Sequence, residues 1–427
     1  MRVGARFCPG ILNPVPAKDG LLVRIRIPGG VIQASQLKTV AEASRMFADQ
    51  EIEITSRANL QLRAIQQQDV EGLIHALADA DLLPSRQHDR VRNIVASPLA
   101  GIDAEELIDV SALVRQLDEH LQMEPRYAEL HPKFSFGLHG GGKKFSQDQE
   151  DLSLEAVETP VGPRFQLFIA GQDLGFTVST EESVSCLLQL AEACINLSMD
   201  NAVPARAKNI LALPHGGNQL LSGVEHMLRP STEQLAQPVF AEAPLGIQPT
   251  AHTGYVTIAP TVPLGRLSAD QAELLAAITT EHHGGLRLAP WRGVVLCGIP
   301  ENEAIGIVDR LEAAGLSCSG RDGFRGIAAC AGSAGCDASF ADVRAHATLL
   351  AEGLAGSDAA KGWTVNLSGC EKQCARRHGA TAEMIASESG YTLKIEGALA
   401  ASSCSPEFAL AAIVALHQKF RTEVAQG

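Results

Sequence analysis

No run of about 18 uncharged apolar residues occurs in the 427-residue chain, so no transmembrane helix is expected. The stretch from Met1 to Pro16 holds three prolines and no apolar core of signal-peptide length, which makes a cytoplasmic location the expectation. Positive charge is also in deficit. Lys and Arg number 35 against 49 Asp and Glu, a net charge of −14, and this disfavours nucleic acid as a partner. An acidic ligand must then be met by a local cluster of arginines.

Apolar matter is plentiful. With 45% hydrophobic residues the chain can bury real cores, and its length suggests about three domains. The stretch from Ala329 to Arg377 organises the rest, because it carries Cys330 with Cys336 and Cys370 with Cys374. The residues inside the first pair, Ala331 to Gly335, are all small, so the backbone can fold tightly and aim N–H groups at inorganic sulfides. Trp363 to Leu367 reads as a buried strand, Ser368-Gly369 as a turn, and Cys370 onward as the first turn of a helix whose positive end favours thiolates. The pattern C-x5-C, 33 residues, C-x3-C is therefore read as the ligand set of a [4Fe-4S] cluster. Structural zinc prefers knuckles of two to four intervening residues, which the first pair does not fit. Such a cluster needs a reducing compartment. Cys8, Cys186, Cys194, Cys297, Cys318 and Cys404 read as small hydrophobes or chance thiols.

In Leu21 to Ile27, Val23, Ile25 and Ile27 share one face, with Arg24 and Arg26 on the other. Ser35 is placed as the cap of a helix running to Ala48. Glu51 to Ile65 reads as one strand with Ile52, Ile54, Leu60, Leu62 and Ala64 on its core face and Arg57, Asn59, Gln61 and Arg63 on the other. A helix over Val70 to Ala80 completes half of a ferredoxin-like sheet. Forked guanidiniums suit carboxylates, so Arg24, Arg26, Arg57 and Arg63 with Asn59 and Gln61 form a wall for a ligand bearing several acid groups. Gly137 to Lys143 satisfies G-x4-G-K but lacks the following Ser or Thr and a helix pattern. It is read as a hairpin loop rather than a phosphate-binding loop. Periodicity vanishes between Leu228 and Thr253, and the pattern then repeats: Leu286 to Ile299 answers Ile52 to Ile65, and Arg325 to Cys330 answers Arg92 to Ser97. Only the second copy has the cysteine pairs. The first offers Arg92 and Lys133, and the ligand is expected between the halves.

These residues resemble the sulfite and nitrite reductase superfamily along nearly the whole chain, in Arg24-Ile-Arg26-Ile-Pro-Gly-Gly30, Ile54-Thr-Ser-Arg57-Ala-Asn-Leu-Gln61, Arg92-Asn93, Pro132-Lys133 and the two cysteine pairs. Cys8-Pro9-Gly10, Asp19-Gly20-Leu21-Leu22-Val23-Arg24, Ser97-Pro98-Leu99-Ala100-Gly101, Pro263-Leu264-Gly265-Arg266-Leu267 and Ser368-Gly369-Cys370-Glu371-Lys372-Gln373-Cys374-Ala375 are similar to the precorrin-3B synthase family within it.

The resemblance implies a mixed α+β chain with a duplicated nitrite/sulfite reductase fold: two ferredoxin-like half-domains forming one pseudo-two-fold domain, plus two α/β domains. The implied boundaries are 1–85 and 251–320 for the half-domains, 86–228 for a tetrapyrrole-binding domain without cluster ligands, 229–250 for a linker and 321–427 for the [4Fe-4S]-binding domain. It further implies that Arg24, Arg26, Arg57, Asn59, Gln61 and Arg63 hold tetrapyrrole carboxylates, with Arg92 and Lys133 at the distal, catalytic side. The implied activity is O2-dependent oxygenation of precorrin-3A at C20 with γ-lactone formation, in aerobic cobalamin biosynthesis. It calls on the cluster, an unidentified electron donor and a non-haem iron of unassigned ligands, with no nucleic acid and no membrane.

The alternative is a nitrite or sulfite reductase with sirohaem. Sulfite reductases place a second lysine two positions after the one matched by Lys133, where this chain has Ser135, and loss of that cation weakens the case for multi-electron reduction of sulfite while nitrite reduction stays as the alternative. A plain iron-sulfur electron carrier is a third class, but it needs no cationic cleft.

Overall fold

Alternation of apolar and polar residues sets the first sheet. In the strand Gly20–Ile25, Val23 and Ile25 are buried and Arg24 takes the opposite face. The single strand expected over 51–65 is instead a hairpin, Glu51–Ile54 and Leu60–Ile65, with Glu53 opposite Gln61 and Ile54 opposite Leu60. Thr55 Oγ1 accepts from the backbone N–H groups of Arg57 and Asn59, and Ala58 takes φ +53 to close the turn. Arg57 thus sits in a turn. Core parity survives the turn, since Ile52, Ile54, Leu60 and Leu62 are all buried. It fails at Ala64, where φ +58 accompanies a register shift and Ile65 enters the core in its place.

The computed structural model describes residues 8–146, 148–231, 240–357, 362–376 and 379–426. The expectation for the amino terminus before Cys8, part of the expected linker (232–239) and Arg377 at the end of the cysteine-bearing stretch lie outside them.

Helix Ala34–Phe47 starts before Ser35, and its cap is Gln33, whose N–H donates to the Gln36 side chain at 3.1 Å. Leu37, Val40, Ala41 and Ser44 are buried on one stripe, as a 3.6-residue period requires. The second copy repeats the plan. Its hairpin, Gly285–Ala289 with Gly293–Pro300, follows the first at an offset of 285 − 51 = 234. Ser268 and Gln271 make a reciprocal capping box ahead of helix Ala269–Glu281.

The copies trade edges. Val31–Ile32 pairs with Leu286 and Arg287 at the rim of the second copy's sheet, and Arg266–Ser268 pairs with Glu51 to Glu53 at the rim of the first. Helices Ala34–Phe47 and Ala269–Glu281 pack on each other, and residues of both copies share one apolar core. Two ferredoxin-like half-domains therefore form one pseudo-two-fold domain.

Two further sheets share a plan. Ile94–Ala96, Phe136–His139 and Leu152–Val157 run parallel, followed by antiparallel Arg164–Ile169, Gln172–Val178 and Arg229–Pro230. Ile327–Ala329, Val365–Ser368 and Ala382–Ser387 run parallel, followed by antiparallel Gly390–Ile395 and Ala398–Cys404. Their first strands stand at an offset of 327 − 94 = 233.

Two expectations are corrected here. The glycine-rich stretch after Phe136–His139 is no hairpin loop, because the next strand runs parallel and the glycines open a crossover. A Cβ on Gly140 would come within 2.1 Å of Glu106 Oε1, so the loop can pack there only with a bare backbone. The expected linker also contains the strand Gly246–Pro249, paired with Tyr255–Ala259. Among the described residues no helix is long and apolar enough to cross a membrane.

Candidate functional site

Adjacent parallel strands bring the cysteine loops together. Ala329 stands opposite Leu367, so Cys330 and Gly369-Cys370 leave the sheet side by side at the same end. The Gly369 N–H donates to Cys330 Sγ at 3.2 Å, and the Phe340 N–H to the Gly369 carbonyl at 2.9 Å. No side chain fits at 369, where a Cβ would lie 1.9 Å from Ser339 Oγ. The first loop contains the short helical turn Gly332–Gly335. The helix expected from Cys370 does not form: the segment is a series of turns, with Gln373 at φ +45. Thiolate stabilisation therefore falls to the Gly369 N–H and nearby arginines instead of a helix end.

All four cysteines are free, with Cys374 exposed and the others half-buried. Among the described residues no three Cys, His, Asp or Glu side chains gather closely enough to hold a single metal ion. Four soft thiols on two adjacent loops, one already accepting a backbone N–H, have the chemistry that a multi-iron cluster calls for. By contrast, burial pushes the thiols of Cys186 and Cys318 up to about 12 and that of Cys297 up to about 11, which makes them poor nucleophiles. Cys8 lies elsewhere: with Pro9 it lines the cleft.

That cleft, of about 360 Å³, lies between the first copy's sheet, Pro132 and Lys133, Arg266 and Arg292 from the second copy, and the cysteine loops at Cys330 and Cys374. Its floor is one cross-strand row. Arg24 is the register partner of Gln61, Gln61 of Glu53, and Glu53 of Arg266. Arg24 Nη2 donates to Gln61 Oε1 at 2.8 Å, and Gln61 Nε2 to Glu53 Oε2 at 2.6 Å. Arg344 donates to the other oxygen of Glu53. Asn59 Oδ1 accepts from the Ile27 N–H at 2.8 Å, fixing the turn that presents Arg57 to the cleft. Arg63 is held by Asp19 through Nε and Nη2 at 2.9 and 3.0 Å.

Among the described residues several buried guanidinium N–H groups have no hydrogen-bond partner, Nε of Arg24 and Nε and Nη1 of Arg26, whereas Nε of Arg266, also without a hydrogen bond, lies 3.8 Å from carboxylate oxygens of Glu51 and Glu53. Burial, followed by the neighbouring Arg24, pulls Arg26 down to about 9, and burial followed by Arg57 pulls Arg24 down to about 10. Unmatched donors of this kind are costly to bury and become favourable only when an anion reaches them.

Arg24, Arg26, Arg57, Asn59, Gln61, Arg63, Lys133, Cys330 and Cys374 thus share one cleft, with Cys336 and Cys370 in the same two loops. Arg92 does not. Its guanidinium is clamped by Asp118 at 2.7 and 2.6 Å, and the side chain that reaches the cleft from this segment is that of Asn93, whose amide also ties to the Pro132 and Phe134 carbonyls. Its catalytic placement is therefore withdrawn.

Sequence reasoning missed Glu53, Arg266, Arg292 and Arg344. Arg266 lies within the Pro263 to Leu267 motif, which signals it, and Arg292 occupies the hairpin turn equivalent to the one carrying Arg57, so the repeat signals the second. No local pattern signals Arg344. Arg292 Nη2 donates to the Ala375 carbonyl at 2.8 Å, and beyond it a second chamber of about 410 Å³ opens beside Trp291 and Phe145.

The profile described as the nitrite/sulfite reductase ferredoxin-like half domain matches residues 14–80 and again 248–314. The nitrite and sulphite reductase 4Fe-4S domain matches 87–192, which falls on the copy without the cysteine pairs. A precorrin-3B synthase of Sinorhizobium sp is 31% identical over 419 residues, 93% of this chain and 84% of that protein. A ferredoxin–nitrite reductase of Synechococcus elongatus is 26% identical over 384 residues, 83% of this chain and 73% of that protein. The solved structure of the Mycobacterium tuberculosis NirA protein matches with a TM-score of 0.74 at 23% identity, covering 89% of this chain and 75% of that one, a likeness of fold.

Proposed function

Given that the chain belongs to the nitrite and sulfite reductase family of iron-sulfur oxidoreductases, we propose that it acts as a precorrin-3B synthase, an O2-dependent oxygenase of precorrin-3A. One oxygen atom enters at the C20 bridge as a hydroxyl and a ring-A acetate closes the lactone separately, so the product retains one added oxygen. The second oxygen atom leaves as water, with two electrons and two protons from a donor of unassigned identity.

The observation that carries this reading is the set of buried N–H groups on Arg24 and Arg26 that have no hydrogen-bond partner among the described residues, in a cleft that abuts Cys330 and Cys374. They suit the peripheral carboxylates of a tetrapyrrole, which would restore the missing hydrogen bonds. Cys330, Cys336, Cys370 and Cys374 would hold the cluster, which when bound supplies single electrons to the cleft. Lys133, exposed and lining the same cleft from the segment after Pro132, would present a cation to the bound macrocycle. For the expected non-haem iron no three-residue donor set exists among the described residues, and no step is assigned to it.

Position 135 bears on the sulfite branch of the alternative reading. Ser135 is 1% exposed, its N–H donates to Asp151 at 3.1 Å, and it does not line the cleft. The cleft has Lys133 without a second lysine beside it, which supports oxygenation over reduction of sulfite. The sirohaem reductase reading keeps the support of the 26% identity to a nitrite reductase. Incubating cluster-loaded protein with precorrin-3A, O2 and a reductant decides the matter: mass spectrometry should find one added oxygen in the product. Stoichiometric sirohaem absorption and nitrite turnover in anaerobically purified protein would overturn the proposal in favour of the reductase.

A further inference from the structure

The floor of the cleft is not uniformly cationic. In the cross-strand row Arg24, Gln61, Glu53, Arg266, one carboxylate stands between the arginines. Glu53 is well engaged: Gln61 Nε2 reaches Oε2 at 2.6 Å, Arg344 bonds Oε1, and the Nε atoms of Arg266 and Arg63 lie 3.8 and 3.9 Å from that same oxygen. Its side chain is 15% exposed, so these interactions act in a partly desolvated setting where charge counts for more than at the surface.

The cleft therefore has two unlike ends. Toward Arg24 and Arg26, buried N–H groups lack hydrogen-bond partners among the described residues. Toward Arg344 and Arg63, cationic groups are already met by Glu53 and Asp19. A ligand carboxylate arriving at the first end completes hydrogen bonds, whereas one arriving at the second must displace Glu53 or sit against a like charge. Juxtaposed like charges in a binding site are costly and select against the wrong pose.

We propose that Glu53 is a resident stand-in for a ligand carboxylate, a specificity residue that closes the Arg344 end of the cleft to acid groups and so fixes which edge of an acid-rich macrocycle faces the Arg24 and Arg26 end. This rests on the reading of the cleft as a tetrapyrrole site. It also explains how a cleft so dense in guanidinium stays folded when empty: part of its charge is matched from within, and only the part meant for the ligand is left open.

The test compares two stable porphyrins on the cluster-loaded protein by absorbance titration: uroporphyrin, with an acetate and a propionate on every ring, and coproporphyrin, with propionates alone. Glu53→Gln preserves an acceptor for Gln61 and removes the charge, so uroporphyrin should gain about tenfold in affinity relative to coproporphyrin. Arg344→Gln leaves Glu53 less neutralised and should move the ratio the opposite way. If both porphyrins bind and neither variant that folds changes their ratio, Glu53 is merely structural and the inference is overturned. If the unaltered protein binds neither porphyrin, the tetrapyrrole reading itself fails, an outcome distinct from the first.

Discussion

Arg63 donates a hydrogen bond of 2.5 Å from the floor of the cleft to the carbonyl oxygen of Gly335, inside the first cysteine loop. Asp19 holds the same guanidinium from behind. The side chain is 5% exposed and ties the ferredoxin-like sheet to the cysteine-bearing one. Replacing Arg63 with Ala leaves Asp19 without its partner and frees the loop. Stability should fall by about 3 kcal/mol in thermal or denaturant unfolding, and iron content should fall with it. Gly335→Ala should cause a similar loss of iron, because its Cβ would lie 2.7 Å from Arg63 Nη2.

The cysteine pairs make a sharper claim. Cys370→Ser should strip iron from the purified protein and abolish turnover, whereas Cys404→Ser, whose thiol bonds the Tyr391 carbonyl at 3.2 Å, should leave iron content and rate unchanged. A full complement of iron in the first variant would contradict the ligand assignment.

Alkaline pH should weaken ligand binding in a defined window. Arg26, held down to about 9 by burial and Arg24, loses its proton in the empty cleft as pH rises through that value, while a bound carboxylate keeps the proton on. Binding above about 9 therefore requires proton uptake. Porphyrin affinity should be level from neutral pH to about 8 and decline beyond 9, and Arg26→Met should move the onset of the decline up toward about 10, where Arg24 is held, while lowering affinity throughout. A wild-type profile that stays flat to higher pH would count against Arg26 as a ligand group.

Arg92 and Lys133 should part company. Arg92 and Asp118, with side chains 8% and 13% exposed, form a nearly buried pair. Arg92→Ala should cost about 3 kcal/mol or more in unfolding free energy, because it strands the carboxylate, and the double variant with Asp118→Ala should recover part of that loss. Lys133→Ala should leave the melting temperature alone and lower the turnover rate. If Arg92→Ala reduced turnover without loss of stability, the withdrawal of its catalytic role would be mistaken.

Much of the fold was legible because its signals are local. Repeated offsets, the Ser268 capping box and the core parity of Ile52, Ile54, Leu60 and Leu62 all reappear in the structure. The hairpin inside 51–65 was not legible, because Ile54 and Leu60 are an even number of positions apart and keep their parity across the turn, so alternation alone reads straight through it. Arg92 misled for a different reason. Its partner lies on helix Ser111–Met123, and no spacing rule links a residue just ahead of a strand to a helix residue 26 positions away. Glu53 escaped notice because an acidic residue on a polar strand face looks like any solvated one until Arg344, 291 positions distant, is folded against it.

The traded edge strands carry a consequence for the chain's architecture. Each copy's sheet is finished by a segment that the other copy encodes, Val31–Ile32 on one side and Arg266–Ser268 on the other. Severing the polypeptide between the copies would hand each fragment an open backbone ladder, a ready template for association. A lone copy could satisfy that ladder only by borrowing from a twin, the arrangement a homodimer of an unduplicated chain would possess. Joining two such partners end to end frees each to diverge, so that one lobe can keep the cysteines while the other gives them up.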